Sequence, residues 1–303
     1  MATICITGGT GMIGTALSAY LSAKGHAIII LSRSNQTSAN QMITFAKWDV
    51  TAGTIDKEAI AACDYIIHLA GAGVADKRWT KKRKKEIVSS RVNGGKLIVK
   101  ALQEIPNKVK AVISSSAIGW YGPDTGKPFV ETDPSYHDFL AQTCQQWEAS
   151  MDPITALNIR LVKLRTGIVL SNEAGALKEF KNPLRFGLAA ILGTGKQMIS
   201  WIHIDDLCRM YEYAIEHEEL TGIYNAVAPN PVNNKELTLA LAKKIRGNAF
   251  ITAHVPSFVL KIVVGELSIE VLKSATASSV KIHKAGFQFI YPTIDAAFTQ
   301  LIR

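Results

Sequence analysis

Short apolar segments alternate with amphipathic segments along the first half of the chain. The apolar runs predict strands at residues 3–7, 27–31, 42–48, 65–69, 109–114 and 159–165. The segments between them predict helices at about 12–24, 80–103 and 138–150. Apolar strands that alternate with helices are typical of a parallel sheet covered on both faces. The pattern therefore predicts an α/β fold with a doubly wound parallel sheet, whose ligands bind at the carboxyl ends of the strands.

The pattern is less regular in the second half of the chain. Helices are predicted at 204–216 and 234–246, followed by a mixed stretch from residue 256 onwards. We expect a Rossmann dinucleotide-binding domain over residues 1–170, which can regain a strand and helices from 201–228. A smaller C-terminal α/β lobe is expected over residues 171–303.

Composition limits the class of protein. No apolar run approaches the roughly 20 residues that a membrane-spanning helix needs. The four cysteines stand singly, without the spacing of a metal site or a redox pair. These features predict a reduced, cytoplasmic protein with no membrane partner and no bound metal.

A cluster of positive charge lies at the start of the long predicted helix. The run Lys81–Lys85 carries a large part of the formal net charge of +9. It lacks the interleaved aromatic residues of nucleic-acid-binding segments, so we predict a solvated helix face and no nucleic-acid partner. The oligomeric state remains open, because this helix would repel its own copy across a dimer axis.

Three glycines follow the first predicted strand at the spacing of a dinucleotide-binding turn. Gly8 permits the tight turn, Gly11 lets the backbone approach a pyrophosphate, and Gly14 lets helix and strand pack closely. The N–H groups at the start of the helix would bind the phosphates. The predicted cofactor-binding residues of this turn are Gly8, Thr10, Gly11, Met12, Ile13 and Gly14.

The second predicted strand ends without the acidic residue that usually binds the ribose 2′-hydroxyl of NAD. It ends instead in Ser32, Arg33 and Ser34. A guanidinium group can bind a 2′-phosphate with two parallel hydrogen bonds. These three residues therefore favour NADP(H) over NAD(H) as the cofactor.

Several motifs resemble those of the extended short-chain dehydrogenase/reductases, the NAD-dependent epimerase/dehydratase group. They lie at residues 7–14, 68–71, 114–122 and 164–170. Other motifs resemble an atypical subfamily, often labelled epimerase family protein or cell-division-inhibitor-like nucleotide-sugar epimerase, which ends in a small uncharacterised domain. These lie at residues 77–80, 90–92, 117–122, 139–141, 147–148, 193–197, 200–207, 225–231 and 286–292. The resemblance implies further cofactor-binding residues, namely Leu69, Ala70, Gly71, Ser114, Ser115 and Arg165.

The resemblance also implies catalytic residues, and one pair of them is missing. Enzymes of the wider family use a Ser or Thr together with a Tyr whose pKa is lowered by a Lys four residues later. Ser116 best matches the serine, with Ser115 as an alternative, but Leu140 and Cys144 stand where the Tyr and Lys are expected.

Other residues are candidates to replace the missing pair. They are Tyr121, Glu148, Cys144 and His203, and we expect Cys144 to be a packing residue. Asp205 and Asp206 open a predicted helix, where capping explains two acidic residues.

Two functions from different classes fit this sequence. The first is an NADP(H)-dependent oxidoreductase or epimerase-like enzyme acting on a small carbonyl or hydroxyl substrate, with a nucleotide sugar as one candidate. In that case Ser116 would orient the reacting oxygen, and residues 193–203 would line the substrate cleft, as the resemblance implies. The alternative is a non-catalytic NADP(H) sensor, for instance in cell division, which the absent Tyr and Lys favour.

Overall fold

The computed structural model describes residues 1–34 and 36–302. The strands of this part of the chain are β1 (Thr3–Thr7), β2 (Ala27–Ser32), β3 (Ile43–Asp49), β4 (Thr54–Ile55), β5 (Tyr65–His68), β6 (Ala111–Ala117), β7 (Arg160–Thr166), β8 (Ile168–Leu170), β9 (Leu188–Leu192), β10 (Met198–Ile199), β11 (Trp201–His203), β12 (Gly222–Ala226), β13 (Val232–Asn233) and β14 (Ile251–Val255). Its helices are α1 (Met12–Ala23), α2 (Lys57–Ala62), α3 (Lys81–Glu104), α4 (Phe139–Met151), α5 (Ala176–Leu184), α6 (Ile204–Glu216), α7 (Asn234–Arg246), α8 (Ser257–Val264), α9 (Leu267–Leu272), α10 (Val280–Lys284) and α11 (Ile294–Leu301).

Eight strands form the main sheet, in the order β12-β7-β6-β5-β1-β2-β3-β4. All neighbours are parallel except the short β4, which runs antiparallel to β3. The predicted doubly wound α/β fold is confirmed. The direction of strand order reverses at β1, which lies between β2 and β5, and ligands of such sheets bind at this reversal.

Helices cover both faces of the main sheet. On one face, Leu17 and Leu21 of α1 and Leu207 of α6 pack on strand residues such as Ile6 and Ile30. On the other face, apolar residues of α2, α3 and α4 pack on the opposite side chains of the same strands. Burial of each such side chain stabilises the fold by about 1.5–3 kcal/mol. The helices on the two faces therefore hold the sheet in place by covering its apolar side chains.

The C-terminal part is built from three small two-stranded sheets, which pair β8 with β11, β9 with β14 and β10 with β13. Segment 274–278 connects this part to the loop after β6. Asp124 accepts hydrogen bonds from Ser274 and Thr276, while Ser200 Oγ donates to the carbonyl of Ala275. The strand β12 leaves this part of the sequence and joins the main sheet beside β7.

Helix starts carry the caps that their sequences favour. Asp138 caps α4 by accepting a hydrogen bond from the N–H of Ala141, and Thr80 caps α3 in the same way. The four cysteines are buried and free. Among the described residues, no helix has both the length and the apolar character that crossing a membrane requires.

Candidate cofactor and active site

The turn between β1 and α1 contains two glycines, Gly8 and Gly14, at which the packing leaves no space for a Cβ atom. Gly8 has φ +70°, and a Cβ there would lie 2.9 Å from the backbone N of Ala70. A Cβ on Gly14 would lie 2.2 Å from the carbonyl oxygen of Gly8. Gly11 differs, because its Cβ would meet only the carbonyl oxygen of Gly8 at 3.4 Å. The turn is therefore closed beneath Gly8 and Gly14 and open above Gly11.

The N-terminus of α1 can receive an anion. Gly11 is the N-cap and has no side chain with which to cap the helix, and the first turn contains no acidic residue. Thr10 and Gly11 are exposed, and Met12 and Ile13 are half-buried. The unpaired N–H groups and the helix dipole at this end favour a phosphate group.

The loop after β5 lies directly beside the glycine turn. The hydroxyl oxygen of Thr7 accepts hydrogen bonds from the N–H groups of Leu69 and Ala70, both at 3.2 Å. The Thr7 hydroxyl also shares a hydrogen bond with Nδ1 of His68 at 2.7 Å. Burial lowers the pKa of His68 to about 4, so the ring is neutral.

Gly71, the next residue of this loop, is exposed and borders an arginine. A Cβ on Gly71 would lie 2.9 Å from Cζ of Arg91, whose guanidinium group donates to the carbonyl of Ala72. Thr7 and Arg91 therefore hold the predicted residues Leu69, Ala70 and Gly71 at the edge where the strand order reverses.

The end of β2 presents one cation and two hydroxyl groups. Ser32 is buried, and its Oγ accepts a hydrogen bond from the N–H of Ser34 at 3.3 Å. Arg33 and Ser34 are exposed. In the described part of the chain, Arg33 forms no ion pair. Lys47, which the sequence analysis did not single out, is the register partner of Ser32 on β3.

The three serines of β6 point to alternating faces of the sheet. Ser115 faces α6, where Tyr211 is fully buried and burial raises the pKa of its hydroxyl. Ser116 faces α4, and its hydroxyl donates to Oε1 of Glu148 at 2.7 Å. The Oγ of Ser114 bonds to the carbonyl of Ser115. The contact with α4 distinguishes Ser116 from Ser115, because α4 is the helix where the missing Tyr and Lys would stand.

A buried ion pair holds the partner of Ser116. Arg165 donates from Nε to Oε1 of Glu148 at 2.8 Å and from Nη2 to Oε2 at 3.1 Å. The guanidinium carbon also lies 3.7 Å from the ring centroid of Trp120. Burial acts to lower the pKa of Arg165, but the hydrogen bonds and charge of Glu148 outweigh it and leave the pKa raised.

The remaining donors of Arg165 are also satisfied within the protein. Nη1 donates to Tyr121 Oη at 3.1 Å and to the carbonyl oxygen of Glu131 at 3.1 Å. Arg165 is 1 % exposed, which argues against the predicted direct contact with a cofactor. Tyr121 is fully buried and its Oη lies 2.7 Å from Oδ1 of Asn225, so the predicted catalytic tyrosine has no free access to a substrate.

Leu140 and Cys144 lie together beside the end of β6. A Cβ on Gly119 would lie 3.2 Å from Cβ of Leu140 and 3.7 Å from Sγ of Cys144. The thiol of Cys144 bonds to the carbonyl of Ala117 at 3.6 Å, and burial raises its pKa to about 12. A thiol with this pKa is protonated at neutral pH, which agrees with the prediction of a packing residue.

His203 caps a helix. Its Nδ1 accepts a hydrogen bond from the N–H of Asp205 at 3.0 Å, and its Nε2 lies 3.1 Å from Oε1 of Gln300. Burial lowers the pKa of His203, so both nitrogens of a neutral ring are engaged. This argues against the predicted catalytic role.

Capping explains only part of the role of the two acidic residues that follow His203. His203 rather than an aspartate is the N-cap of α6. Asp206 is fully buried and binds the N–H groups of Ile290 and Tyr291 at 2.9 and 2.8 Å. It therefore joins α6 to the C-terminal segment.

The lysine-rich run at the start of α3 is only partly a solvated face. Lys81, Lys82 and Lys85 are exposed as predicted. Arg83 is buried, where it bonds to Glu86 at 2.8 Å and also contacts the carbonyl of Gly73. Lys84 pairs with Glu266 at 2.5 Å. The prediction was therefore wrong for Arg83 and Lys84, which attach α3 to its neighbours.

The main sheet, its glycine turn and the serine at the end of β6 define a dinucleotide-binding protein of the short-chain dehydrogenase/reductase class. The model of the NAD dependent epimerase/dehydratase family matches residues 4–149, and the model of a domain of unknown function, DUF1731, matches residues 255–301. The epimerase family protein YfhF of Bacillus subtilis is 35% identical over 300 residues, covering 99% of this chain and 97% of that protein. The chain belongs to the NAD dependent epimerase/dehydratase family.

Two solved structures extend the comparison. The human epimerase family protein SDR39U1 (isoform 2), solved with NADPH, has a TM-score of 0.87 and 29% identity, and 99% of each chain is covered. The nucleoside-diphosphate sugar epimerase of Corynebacterium glutamicum has a TM-score of 0.79 and 30% identity. The match covers 99% of this chain and 58% of the Corynebacterium chain. The similarity therefore spans both the main sheet and the C-terminal part.

Proposed function

We propose that the protein is an NADP(H)-dependent, epimerase-like oxidoreductase that acts on a small carbonyl or hydroxyl substrate. When bound, the nicotinamide would supply or accept the hydride. The observation that carries the proposal is an open anion site at Gly11 combined with an exposed, unpaired Arg33 at the end of the neighbouring strand, as far as the described residues extend. The human relative solved with NADPH supports the same cofactor.

The residues around the glycine turn offer binding groups for the pyrophosphate and for the 2′-phosphate of such a cofactor. The N–H groups of Met12 and Ile13 would bind the pyrophosphate, since the helix start offers them without a competing acidic side chain. The N–H of Gly11 itself donates to the carbonyl oxygen of Gly8 at 3.0 Å. Arg33 and Ser34 would bind the 2′-phosphate through charge-assisted hydrogen bonds. The loop at Gly71 would border the cofactor on its other side.

Ser116, whose side chain is 2% exposed, would orient the reacting oxygen of a substrate that reaches the end of β6. Its hydroxyl hydrogen is already given to Glu148, so only its lone pairs are available to a ligand. Ser116 would therefore accept a hydrogen bond from a substrate hydroxyl group. The buried pair of Glu148 and Arg165 keeps this orientation fixed.

The substrate would enter between the main sheet and the C-terminal part. We place residues 193–199 at this cleft, where Thr194 and Lys196 are exposed polar residues. Residues 200–203, which were also expected to line the cleft, are buried and do not face a ligand. A nucleotide sugar is one candidate substrate, and the name of the Corynebacterium relative supports that choice. The cytoplasmic location and the absence of nucleic-acid partners stay predictions.

Calorimetric titration with NADPH, NADP, NADH and NAD tests the cofactor. We expect NADP(H) to bind with a Kd in the micromolar range or below, about 8 kcal/mol of binding free energy, and NAD(H) to bind much more weakly. Arg33→Ala should weaken NADP(H) and leave NAD(H) nearly unchanged. If none of the four nucleotides binds, the proposal is wrong.

Turnover is tested separately from binding. With NADP bound, hydroxyl substrates are screened by the gain of absorbance of the reduced nicotinamide, with Ser116→Ala as the matched variant. Substrate consumption that stops in the variant supports the enzyme. Binding without consumption of any substrate would instead support a non-catalytic NADP(H)-binding protein.

A further inference from the structure

The adenosine end of the proposed cofactor site contains a second cation from a different strand. Lys47 lies on β3 and is the register partner of Ser32, the last residue of β2. Neighbouring strands run about 5 Å apart, so the Lys47 backbone is adjacent to the segment that carries Arg33. Both side chains are exposed.

The side chain of Lys47 lies on the same face of the sheet as α1. The register pairs Ile28 with Ile43 and Ile30 with Phe45, and these four residues belong to the core layer that includes α1. Side chains of a strand alternate between the two faces, so Lys47 shares the face of Phe45. This is the face on which α1 begins with the open anion site at Gly11.

The carboxylate of Asp49 interacts with this pair of cations without forming a salt bridge to either of them. Within residues 1–34 and 36–302, neither Arg33 nor Lys47 takes part in an ion pair. The nearest acid along β3 is Asp49, but its Oδ1 accepts hydrogen bonds from the N–H groups of Thr51 and Ala52 at 2.8 and 3.0 Å. Asp49 is thus committed to its own turn.

The charges of Lys47 and Arg33 both act on the carboxylate of Asp49. The pKa of Asp49 is lowered first by the N–H groups of Ala52 and Thr51 and further by the charges of Lys47 and Arg33. Two cations from adjacent strand ends thus create a positive potential beside an exposed serine hydroxyl, that of Ser34. A phosphate dianion is the ligand chemistry that satisfies two cations and a hydroxyl donor together.

We infer that Lys47 binds the 2′-phosphate of the cofactor together with Arg33, so that the preference for NADP(H) rests on two strands. The inference rests on the proposed function and extends it to a residue that determines cofactor specificity. Arg33 would supply directed hydrogen bonds, and Lys47 would supply a flexible point charge. Because Lys47 contacts only the 2′-phosphate, its loss should leave the rest of the cofactor bound as before.

The test uses two nucleotides that differ only in this phosphate, 2′,5′-ADP and 5′-AMP, titrated into the full chain by calorimetry. The variants are Lys47→Ala, Lys47→Arg and Arg33→Ala, and the control is Lys100→Ala, which removes an exposed lysine of α3. We expect Lys47→Ala to weaken 2′,5′-ADP about tenfold, or about 1.4 kcal/mol, and to change 5′-AMP by less than about twofold. Lys47→Arg should retain most of the affinity, and Lys100→Ala all of it.

Salt provides a second readout. Charge attraction at an exposed site is screened by ions, so raising the ionic strength should weaken 2′,5′-ADP less in Lys47→Ala than in the wild type. Equal effects of Lys47→Ala on the two nucleotides, or none on either, would overturn the inference. If the wild type does not prefer 2′,5′-ADP, the NADP(H) assignment fails too. If Arg33→Ala abolishes the preference and Lys47→Ala leaves it unchanged, only the role of Lys47 fails.

Discussion

Arg165 and Glu148 form a two-contact ion pair whose side chains are only 1% and 5% exposed. The pair joins β7 to α4, the helix that precedes it in the chain, across 17 positions of sequence. Ser116 completes it by donating to the same carboxylate oxygen that accepts the hydrogen bond from Arg165 Nε. A buried ion pair thus lies behind the candidate catalytic serine.

Removing one member of this pair should destabilise the protein strongly. Glu148→Ala leaves the guanidinium group of Arg165 buried without its counterion, at an expected cost of about 3–5 kcal/mol. The free energy of unfolding, measured in urea, checks this. The double variant Glu148→Leu with Arg165→Met removes both charges and should recover much of the loss. A double variant as unstable as Glu148→Ala would contradict this account.

Ser116→Ala should affect stability and leave cofactor affinity unchanged. The variant deprives the buried carboxylate of one hydrogen bond, which costs about 1–3 kcal/mol. The cofactor is expected to bind through the glycine turn and β2, so its Kd should not move. Chemical denaturation and calorimetry on the same sample test both statements. A large loss of NADP(H) affinity would mean that Ser116 contacts the cofactor.

Substitution by alanine should lower the stability of the protein at Gly14 but not at Gly11. Gly14→Ala places a Cβ 2.2 Å from the carbonyl oxygen of Gly8, so backbone must move, at a cost of about 1–3 kcal/mol or more. Gly11→Ala meets only an ordinary contact at 3.4 Å and should unfold like the wild type. Thermal unfolding should separate them, at roughly 2–4 °C per kcal/mol. Equal melting temperatures would contradict the packing described for this turn.

A larger side chain at Gly11 should block the nucleotide without unfolding the chain. Gly11→Val fills the open space above the turn, where the backbone would approach the pyrophosphate. We expect a near-normal melting temperature and no measurable nucleotide binding by calorimetry. Retained affinity would show that the phosphates bind elsewhere.

His68 should make the fold less stable in weak acid. Burial holds its pKa at about 4 in the folded state, below the value of about 6.5 for an unfolded chain. The unfolded chain therefore binds the proton more readily, and the stability present above about pH 6.5 is lost as the pH falls towards 4. The loss attributable to His68 approaches about 3 kcal/mol.

Urea unfolding at pH 7.5 and pH 5 measures this effect. The variant His68→Gln should be less stable at pH 7.5 and show a weaker dependence on pH than the wild type. His137→Gln serves as the control, because His137 is exposed and should not change the pH dependence. An unchanged pH dependence in His68→Gln would remove His68 as the titrating group.

Local patterns were enough to predict most of the elements. The helices over 204–216 and 234–246 have the predicted bounds, and the sheet is parallel as expected. The glycine spacing predicted the turn because Gly14 packs directly on Gly8, six positions earlier in the chain. The absence of the family's Tyr and Lys could also be predicted, since their positions, now Leu140 and Cys144, lie four residues apart in a single helix.

The parts that could not be predicted depend on contacts between distant segments. Tyr121 meets Asn225 across 104 positions, and no spacing rule relates them. Arg83 looked solvated because its sequence neighbours are lysines, whereas the loop at Gly73 covers it. Lys47 gave no signal on its own, because its position beside Ser32 follows only from the register of β2 and β3.

The return of β12 to the edge of the main sheet has a consequence for how the protein is made. The nascent chain must extend to residue 226 before β7 gains its outer neighbour and Tyr121 gains Asn225. Domains generally form from the N-terminus as they leave the ribosome. Here the first 170 residues emerge with the outer edge of β7 unpaired and with the hydroxyl of Tyr121 lacking its partner Asn225. During synthesis this half of the chain is therefore exposed to aggregation until the later segment arrives to close it.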